Sequence, residues 1–289
     1  MKKLYVFAAA VLALCTFASC DKTPEGPNTP NGKAEITVAK DALVAYFPME
    51  DATEYISKLT PKDQGTGSEA NFVEGRTGKC YQGTKGSYLV YDLPADSKIK
   101  EMKAFTLSFW LNGPEVTEAP VPMYFQVSSD DLFWGCMSVS VDRTAVGDGY
   151  LTLKNCFRYN ENGAFWKTYA DEYEKCWTAA RWIHVVYSYD AVKSEFHAFA
   201  NGAEVTPEGA VACTDWTATE TTPAGNLNWS TATGLNIGAW LPKLVNGATD
   251  EWMGDLENVK LDEMRLYNRG LSAEEVAELY RAEIANINE

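Results

Sequence analysis

The chain has few of the side chains that metal centres and hydrolytic sites use. Of its 289 residues only His184 and His197 are histidines, and the seven cysteines form neither a Cys-x-x-Cys motif nor a Cys/His cluster. A zinc site is therefore not expected. The sequence also lacks a Gly-x-Ser-x-Gly elbow, a phosphate-binding loop and a His-Glu-x-x-His motif. These absences leave nucleophilic hydrolases and metalloproteases without support.

Positive charge is also scarce. The chain has 25 lysines and arginines against 40 aspartates and glutamates, which gives a formal net charge of −15. Such a surface repels nucleic acid, anionic lipid and sulfated polymers, so these are not expected as partners bound by overall charge. Neutral glycans, proteins or a cation fit the composition better.

The N-terminus carries an apolar run that is too short to span a bilayer as a mature helix. Lys2 and Lys3 precede this run, which extends from Leu4 to Phe17, so residues 1–19 are predicted to be a signal peptide. The run stops at Phe17-Ala18-Ser19-Cys20, which resembles a bacterial lipobox. The resemblance implies that Cys20 becomes the lipidated first residue of the mature chain. An ordinary signal peptide or an uncleaved anchor is the alternative.

Residues 20–33 read as a flexible tether, because they are rich in proline, glycine and asparagine and cannot pack. The remaining residues, 34–289, are enough for one large β-sandwich with a full core, and we expect a single domain. Together these features predict a lipid-anchored cell-envelope protein. Its domain would face outward from the outer membrane, and its contact with the membrane would be through the lipid alone.

Five cysteines follow the tether, an odd number, so at least one is not in an intramolecular disulfide. Cys136 and Cys156 are the candidate pair. They share their period-2 parity with polar residues on two predicted strands that flank the turn from Arg143 to Gly149. Two unrelated thiols are the alternative reading.

The middle of the chain consists of short β-branched or aromatic segments separated by Gly, Asn, Asp and Pro, which is typical of an all-β sandwich. Leu43-Phe47 and the strand that begins at Trp182 are nearly continuous in apolar character, so we expect both to lie centrally in their sheets. The predicted strands are Leu43-Phe47, Tyr88-Tyr91, Phe105-Leu111, Met123-Ser128, Met137-Val141, Tyr150-Phe157, Trp182-Tyr189, Glu195-Ala200, Leu235-Gly238 and Val259-Tyr267.

The C-terminal run predicts a strand, a tight turn and a short capped helix. Asn268-Arg269-Gly270 supplies the turn after the last strand. Ser272 and Glu275 form a Ser-x-x-Glu capping box, and Val276 and Leu279 lie on one apolar stripe. We expect this helix to pack on the body of the domain as a lid.

In their order these pieces resemble the laminin-G-like jelly-roll domains of the concanavalin A-like lectin/glucanase superfamily. The resemblance covers nearly the whole span from Ala42 to Tyr280, and it implies an all-β, two-sheet jelly-roll sandwich with a short C-terminal helix. The motifs that carry it are Ala42-Leu43-Val44-Ala45-Tyr46-Phe47-Pro48-Met49-Glu50, Glu74-Gly75-Arg76-Thr77-Gly78-Lys79-Cys80, Tyr88-Leu89-Val90-Tyr91, Phe105-Thr106-Leu107-Ser108-Phe109-Trp110, Arg181-Trp182-Ile183-His184-Val185-Val186, Phe199-Ala200-Asn201-Gly202 and Leu235-Asn236-Ile237-Gly238.

Domains of this kind often hold a calcium ion through loop carboxylates and carbonyls. The resemblance places such a structural calcium in the loop after Met49, with Glu50 and Asp51 as ligands. A solvated acidic loop is the alternative.

Tryptophan and tyrosine are abundant, with nine and fifteen residues. Aromatic planes stack on the apolar faces of sugars, so aromatics in loop-like settings are the candidate ligand contacts. Trp134 and Trp166 come first, the latter near Asn162, and Trp229 and Trp240 follow. A loop aromatic that plugs the end of the sandwich is the competing reading for each.

The sequence favours a binding protein over an enzyme. Glucanases of this superfamily resemble one another in a Glu-x-Asp-x-x-Glu strand, and that spacing does not occur here. A histidine between apolar strand residues, such as His184, is more often structural than catalytic. We therefore expect a non-catalytic domain that binds extracellular glycan. A protein-interaction or adhesion module with an envelope-protein partner is the first alternative, and a divergent glycoside hydrolase or lyase is the second.

Overall fold

The computed structural model describes residues 34–66, 71–130, 132–143, 148–160, 164–168, 175–207, 211–215, 222–240 and 252–287. Within these residues the chain forms seventeen strands and one α-helix. They are β1 Leu43–Phe47, β2 Asp63–Gly65, β3 Phe72–Glu74, β4 Lys79–Gln82, β5 Ser87–Asp92, β6 Phe105–Asn112, β7 Val121–Ser129, β8 Leu132–Asp142, β9 Tyr150–Tyr159, β10 Ala164–Thr168, β11 Trp177–Thr178, β12 Ile183–Asp190, β13 Glu195–Ala200, β14 Ala203–Glu204, β15 Gly234–Ile237, β16 Met253–Gly254, β17 Lys260–Tyr267 and α1 Ala273–Ala285.

The strands form two sheets. The eight-stranded sheet has the order β14-β13-β12-β6-β17-β4-β3, and β1 also pairs with β17. The nine-stranded sheet has the order β10-β9-β8-β7-β15-β5-β2, with β11 paired to β9 and β16 paired to β7. Neighbouring strands are antiparallel except for the short β16–β7 pair. This arrangement confirms the predicted two-sheet sandwich with one C-terminal helix.

The core lies between the sheets, and side-chain alternation along each strand explains it. In β6, Leu107, Phe109 and Leu111 belong to the core, whereas the intervening Ser108 and Trp110 point to the opposite face of the sheet. β15 contributes Leu235 and Ile237 to the core from the other sheet. The sandwich therefore rests on period-2 patterning that is readable in the sequence.

The ten predicted strands are all present, with end points that shift by a few residues. One prediction about position was wrong: β1 is not central, since among the described strands it pairs only with β17. Its apolar character has another source, because Val44 and Phe47 are buried by packing although the strand has one neighbour. β12 does lie inside its sheet, between β6 and β13.

The predicted disulfide does not form. β8 and β9 are neighbours as expected, but their register pairs Ser138 with Cys156, so Cys136 lies two residues further along β8. Such diagonal positions are about 7–8 Å apart between Cα atoms, which is too far for a disulfide. Cys136 and Cys156 are both present as thiols.

Helix α1 begins as predicted. Ser272 Oγ accepts a hydrogen bond from Glu275 N, and the Glu275 carboxylate accepts one from Ser272 N, which completes the capping box. Val276 and Leu279 are fully buried against Val186 and other residues on the outer face of the eight-stranded sheet. The helix is thus the predicted lid, and it covers the sheet face that points away from the core.

A buried polar cluster lies under the last turn of α1. The guanidinium of Arg265 in β17 contacts the carboxylates of Glu263 and Glu283, and Trp110 Nε1 also donates to Glu283. His184 Nε2 lies 2.7 Å from Ser108 Oγ and 3.5 Å from Glu283 Oε2. Burial raises the pKa of Glu283 to about 7, although Arg265 acts in the opposite direction. The helix therefore contacts the sheet through a buried polar cluster as well as through apolar side chains.

The turn between β13 and β14 also fits the helix. Asn201 and Gly202 both have positive φ, 52° and 78°, as a two-residue hairpin turn of type I′ requires. A Cβ on Gly202 would lie 2.9 Å from atoms of Tyr280, a residue of α1. Only glycine therefore meets both the backbone conformation and the close approach of the helix.

Residues 1–33 lie outside the described residues, and with them the predicted signal peptide, Cys20 and the tether. Within the described part of the chain, no helix has both the length and the apolar character needed to cross a membrane.

We expect the protein to lose stability in acid because His184 is buried. Burial, helped by the charge of Arg265, lowers its pKa to about 3 from the ordinary value of 6.5. Between these values the folded state binds fewer protons than the unfolded state. The free energy of unfolding should therefore fall by up to about 1.4 kcal/mol per pH unit as the pH drops through this window. Between pH 4.5 and 7 Glu283 acts in the opposite sense, because its raised pKa favours proton uptake by the folded state.

Urea unfolding of the wild type and of His184→Gln from pH 3.5 to 7 measures this effect. The wild-type free energy should fall more steeply in acid than that of the variant, most clearly below pH 4.5. His197→Gln is the matched control, since His197 is partly exposed. Parallel curves for the wild type and His184→Gln would contradict the assignment.

Candidate functional site

Three separate segments bring aromatic side chains together beside strand β7. Trp134 lies in β8, which pairs with β7. Trp240 follows β15, and Trp252 precedes β16, and both of these strands also pair with β7. Trp240 Nε1 donates to Val121 O at 2.9 Å, and Val121 N donates to Trp252 O at 2.8 Å. Strand pairing therefore assembles residues that are more than 100 positions apart.

Phe133, Trp134, Trp240 and Trp252 form what we call the aromatic cluster. The ring centroids are 4.9 Å apart for Phe133–Trp134 and for Trp240–Trp252, and 5.7 Å apart for Trp134–Trp240. Trp240 is buried and forms the base, Trp134 and Trp252 are partly buried, and Phe133 is 39% exposed. An exposed aromatic edge on a fixed base is suited to contact with a ligand.

The three tryptophans of the aromatic cluster, Trp134, Trp240 and Trp252, line a cavity of about 190 Å³, which we call the aromatic pocket. Charged residues also line this pocket. Asp142 Oδ2 lies 2.8 Å from Lys154 Nζ, and Asp142 Oδ1 accepts from the backbone N–H of Arg143 at 2.8 Å. The pocket is lined by Ala119, Val121, Trp134, Ser140, Val141, Asp142, Arg143, Lys154, Trp240 and Trp252.

These polar contacts settle the charge state of Asp142. Partial burial works to raise its pKa, but the hydrogen bonds from Lys154 and from the Arg143 N–H outweigh burial and lower it. Asp142 is therefore a carboxylate at neutral pH, an acceptor of hydrogen bonds rather than a proton donor.

A second cavity of similar volume, which we call the acidic groove, lies on the same sheet between β2, β5, β7 and β15. Its carboxylates are Asp63, Asp92 and Asp130. Each has a partner: Tyr88 Oη donates to Asp63, Lys62 pairs with Asp92, and Thr233 Oγ1 donates to Asp130. The hydrogen bond from Gly65 N is the main cause that lowers the pKa of Asp63.

The register shows that both cavities open on the outer face of the nine-stranded sheet. Cys156, Ser138, Gln126 and Asn236 lie opposite one another on β9, β8, β7 and β15 and form one cross-strand row. Ser140 and Lys154 of the aromatic pocket share the parity of this row. So does Asn236, which lines the acidic groove. The two cavities are therefore a few strands apart on one surface.

A third groove, of about 420 Å³, lies between β13 and the start of α1. Here His197 Nδ1 lies 2.6 Å from Glu204 Oε1, and Arg269 pairs with Glu275. The described side chains contain no group of three or more His, Cys, Asp or Glu residues suited to a metal ion.

The structure places the predicted ligand residues in different environments. Trp134 lines the aromatic pocket, although it lies in a strand and not in a loop. Trp240 belongs to the aromatic cluster as its buried base. The prediction for Trp229 was wrong: it is 1% exposed, stacks on Phe105 in the core and donates from Nε1 to Arg158 O.

The other two predicted ligand residues stay predictions. Trp166 lies in β10 opposite Phe157, and the structure describes its backbone but not its side chain. Asn162 lies outside the described residues.

The predicted calcium ligands, Glu50 and Asp51, both accept hydrogen bonds from the backbone. Both carboxylate oxygens of Glu50 lie 3.2 Å from Lys79 N, and Asp51 Oδ1 accepts from Thr53 N at 2.7 Å. Each carboxylate therefore accepts hydrogen bonds from the backbone amides of a loop, and the prediction that the two residues bind calcium stays a prediction.

Sequence reasoning missed Phe133, Trp252 and the charged residues of the aromatic pocket. Phe133 directly precedes Trp134, so the prediction of Trp134 as a ligand contact already pointed to this position. The charged residues could have been found from the predicted β8–β9 hairpin, whose register places Asp142 opposite Thr152 and near Lys154. Nothing in the sequence places Trp252 beside Trp240 before the pairing of β16 with β7 is known.

Comparison with solved structures finds distant likenesses. The binding domain of Paraclostridial Mosquitocidal Protein 1 superposes with a TM-score of 0.53 at 14% identity, covering 84% of this chain and 52% of that one. The binding domain of botulinum neurotoxin DC matches in its complex with SialylT (0.52, 11%, 85% and 52%) and in its complex with rat synaptotagmin II (0.50, 10%, 85% and 52%). A Trypanosoma rangeli sialidase matches at 0.52 and 13% identity, covering 92% and 36%.

At these identities the likenesses show the fold, and the chain spans about half the length of the toxin binding domains. The comparison with curated proteins found no match. A family model of laminin-G type, described as concanavalin A-like lectin/glucanases superfamily, matches residues 85–277. This range contains both sheets' central strands and the start of α1. The chain therefore belongs to the concanavalin A-like lectin/glucanase superfamily.

Proposed function

We propose that this protein is a non-catalytic glycan-binding lipoprotein of the cell envelope, and that it binds its ligand in the aromatic pocket. The observation that carries the proposal is the convergence of Trp134, Trp240 and Trp252 from three segments beside an ion pair. A sugar ring needs both elements: a flat apolar surface for its C–H face and fixed polar groups for its hydroxyls.

The polar residues of the aromatic pocket suit hydroxyl groups. Asp142 is an ionised acceptor, Lys154 is a donor, and Ser140 can act as either. The names of two similar proteins are consistent with a glycan ligand. One toxin domain was solved in complex with SialylT, and another similar protein is a sialidase. These names describe those proteins and support a glycan ligand here.

The absence of catalysis is part of the proposal. Glycoside hydrolysis needs a carboxylic acid with a raised pKa beside a second carboxylate. In the aromatic pocket Asp142 has a lowered pKa, and in the acidic groove the pKa of Asp63 is lowered too. Neither residue fits the role of general acid in glycoside hydrolysis, which counts against a hydrolase that uses these two residues in that role.

The lipoprotein part of the proposal rests on the N-terminal sequence. Cys20 after Phe17-Ala18-Ser19 would carry the lipid, and residues 20–33 would hold the domain away from an outer membrane, facing outward. Such a position suits capture of extracellular glycan for transport or degradation machinery.

A protein partner is the second candidate, because one observation favours it. Phe133 is a large apolar side chain at the surface, 39% exposed, next to a partly buried tryptophan. Exposed aromatics of this kind anchor protein interfaces. A complex of a similar toxin domain with rat synaptotagmin II shows that relatives of this fold bind proteins.

Trp134→Ala should weaken glycan binding about tenfold, because it removes an aromatic contact but leaves the buried base of the cluster in place. The full chain, purified in mild detergent, would be screened on a glycan array with calcium and again with chelator. Calorimetry would then give the affinity of the wild type and the variant for the best glycan. Chelator sensitivity would reveal a bound calcium.

Tyr55→Ala is the matched control, since Tyr55 is a partly exposed aromatic in a loop away from the pocket. It should bind like the wild type. Absence of binding across a broad array would overturn the glycan proposal for the glycans displayed and favour the protein partner.

Cys20→Ala should abolish lipidation, because the thiol that accepts the lipid is lost. Cells that express the protein would be labelled with a palmitate analogue, and membrane and soluble fractions compared. Cys15→Ala removes a thiol within the same N-terminal segment and should be labelled like the wild type. Equal labelling of Cys20→Ala would rule out this anchor.

A further inference from the structure

The aromatic pocket carries an excess positive charge within a strongly acidic chain. Asp142, Arg143 and Lys154 are its charged residues, two cations against one anion. The whole chain has a net charge of −15. The charge beside the aromatic cluster is therefore opposite in sign to that of the protein as a whole.

Of the two cations, Lys154 forms an ion pair with Asp142 and the guanidinium of Arg143 does not. Asp142 uses Oδ2 for Lys154 Nζ and Oδ1 for the backbone N–H of Arg143, so both of its oxygens are engaged without the Arg143 side chain. Among the described residues, no carboxylate lies within ion-pair distance of the Arg143 guanidinium, although its charge helps to lower the pKa of Asp142, and the residue is exposed at the pocket. It is free to meet a ligand.

A guanidinium has a fixed fork of N–H donors that matches a carboxylate in two parallel hydrogen bonds. Trp134 and Trp252 line the same pocket and offer ring faces on which a sugar can stack. A ligand that uses both the guanidinium and these rings needs an apolar ring face and a carboxylate on the same residue. Building on the proposed function, we infer that the aromatic pocket selects acidic sugars that carry a carboxylate, and that Arg143 determines this specificity.

The overall negative charge does not oppose this selection at contact distance. Repulsion from charges elsewhere on the surface is screened beyond about 10 Å at 0.1 M salt. The acidic groove, in contrast, presents Asp63, Asp92 and Asp130 with Lys62 already paired to Asp92. Of the two cavities on this sheet face, only the aromatic pocket is lined by a described cation that is outside an ion pair and can contact an acidic sugar.

Calorimetry with matched pairs of oligosaccharides tests the inference. The pairs are trigalacturonate and its methyl ester, and 3′-sialyllactose and its methyl ester, each pair differing in the free carboxylate. The protein is the full chain in mild detergent, as wild type, Arg143→Gln, Lys193→Gln and Trp134→Ala. Lys193 is an exposed lysine in the groove beside α1, so Lys193→Gln controls for the loss of one positive charge.

In at least one pair the wild type should bind the acidic member about tenfold or more tightly than the neutral member, as expected for a charge-assisted hydrogen bond. Arg143→Gln should remove this preference and leave binding of the neutral member within twofold. Lys193→Gln should keep it. Trp134→Ala should weaken both members, because the ring contact is shared.

The outcomes separate this inference from the proposed function. Equal binding of both members, or equal weakening of both by Arg143→Gln, would overturn the selection of acidic sugars and leave glycan binding intact. Binding of no member, together with no binding on the glycan array, would overturn both. Thermal unfolding of each variant shows that the fold is kept.

Discussion

Strand β7 is the constraint on which the candidate site depends. It is hydrogen-bonded to β8 and β15 in the nine-stranded sheet and to the short parallel strand β16. Each partner delivers one tryptophan of the aromatic cluster, and Val121 in β7 itself bonds to two of the segments. The geometry of the pocket is thus set by main-chain pairing, which is directional, and not by contacts among mobile loops.

The outer face of the eight-stranded sheet differs from that of the nine-stranded sheet. The former carries Ser108, His184 and Arg265, polar groups that would be costly to bury without partners. Helix α1 covers this face and brings Glu283 to meet Arg265 and Trp110. One sheet is therefore closed by a helix with a matching charge, and the other keeps cavities on its outer face.

Period-2 patterning and turn chemistry predicted the sandwich, ten strands and the capped helix, because these depend on local sequence. Long-range register could not be read in the same way. Cys136 and Cys156 have the right parity but lie two residues out of step, and parity alone cannot show that. Trp229 and Trp240 look alike in sequence, yet one stacks on Phe105 in the core and the other forms the base of a surface cluster. The two residues flank the same strand, since Trp229 precedes β15 and Trp240 follows it, and the sequence does not show which end of β15 faces the core.

The position of α1 in the chain has a consequence for the order of assembly. Arg265 is synthesised before Glu283, and Trp110, His184 and Gly202 come earlier still. These residues are open to water until α1 packs on the sheet face. β17 carries Arg265 and lies between β6 and β4, and only residues 268–272 separate it from α1. The strand that completes the sheet and the helix that keeps water from its outer face therefore join the fold together.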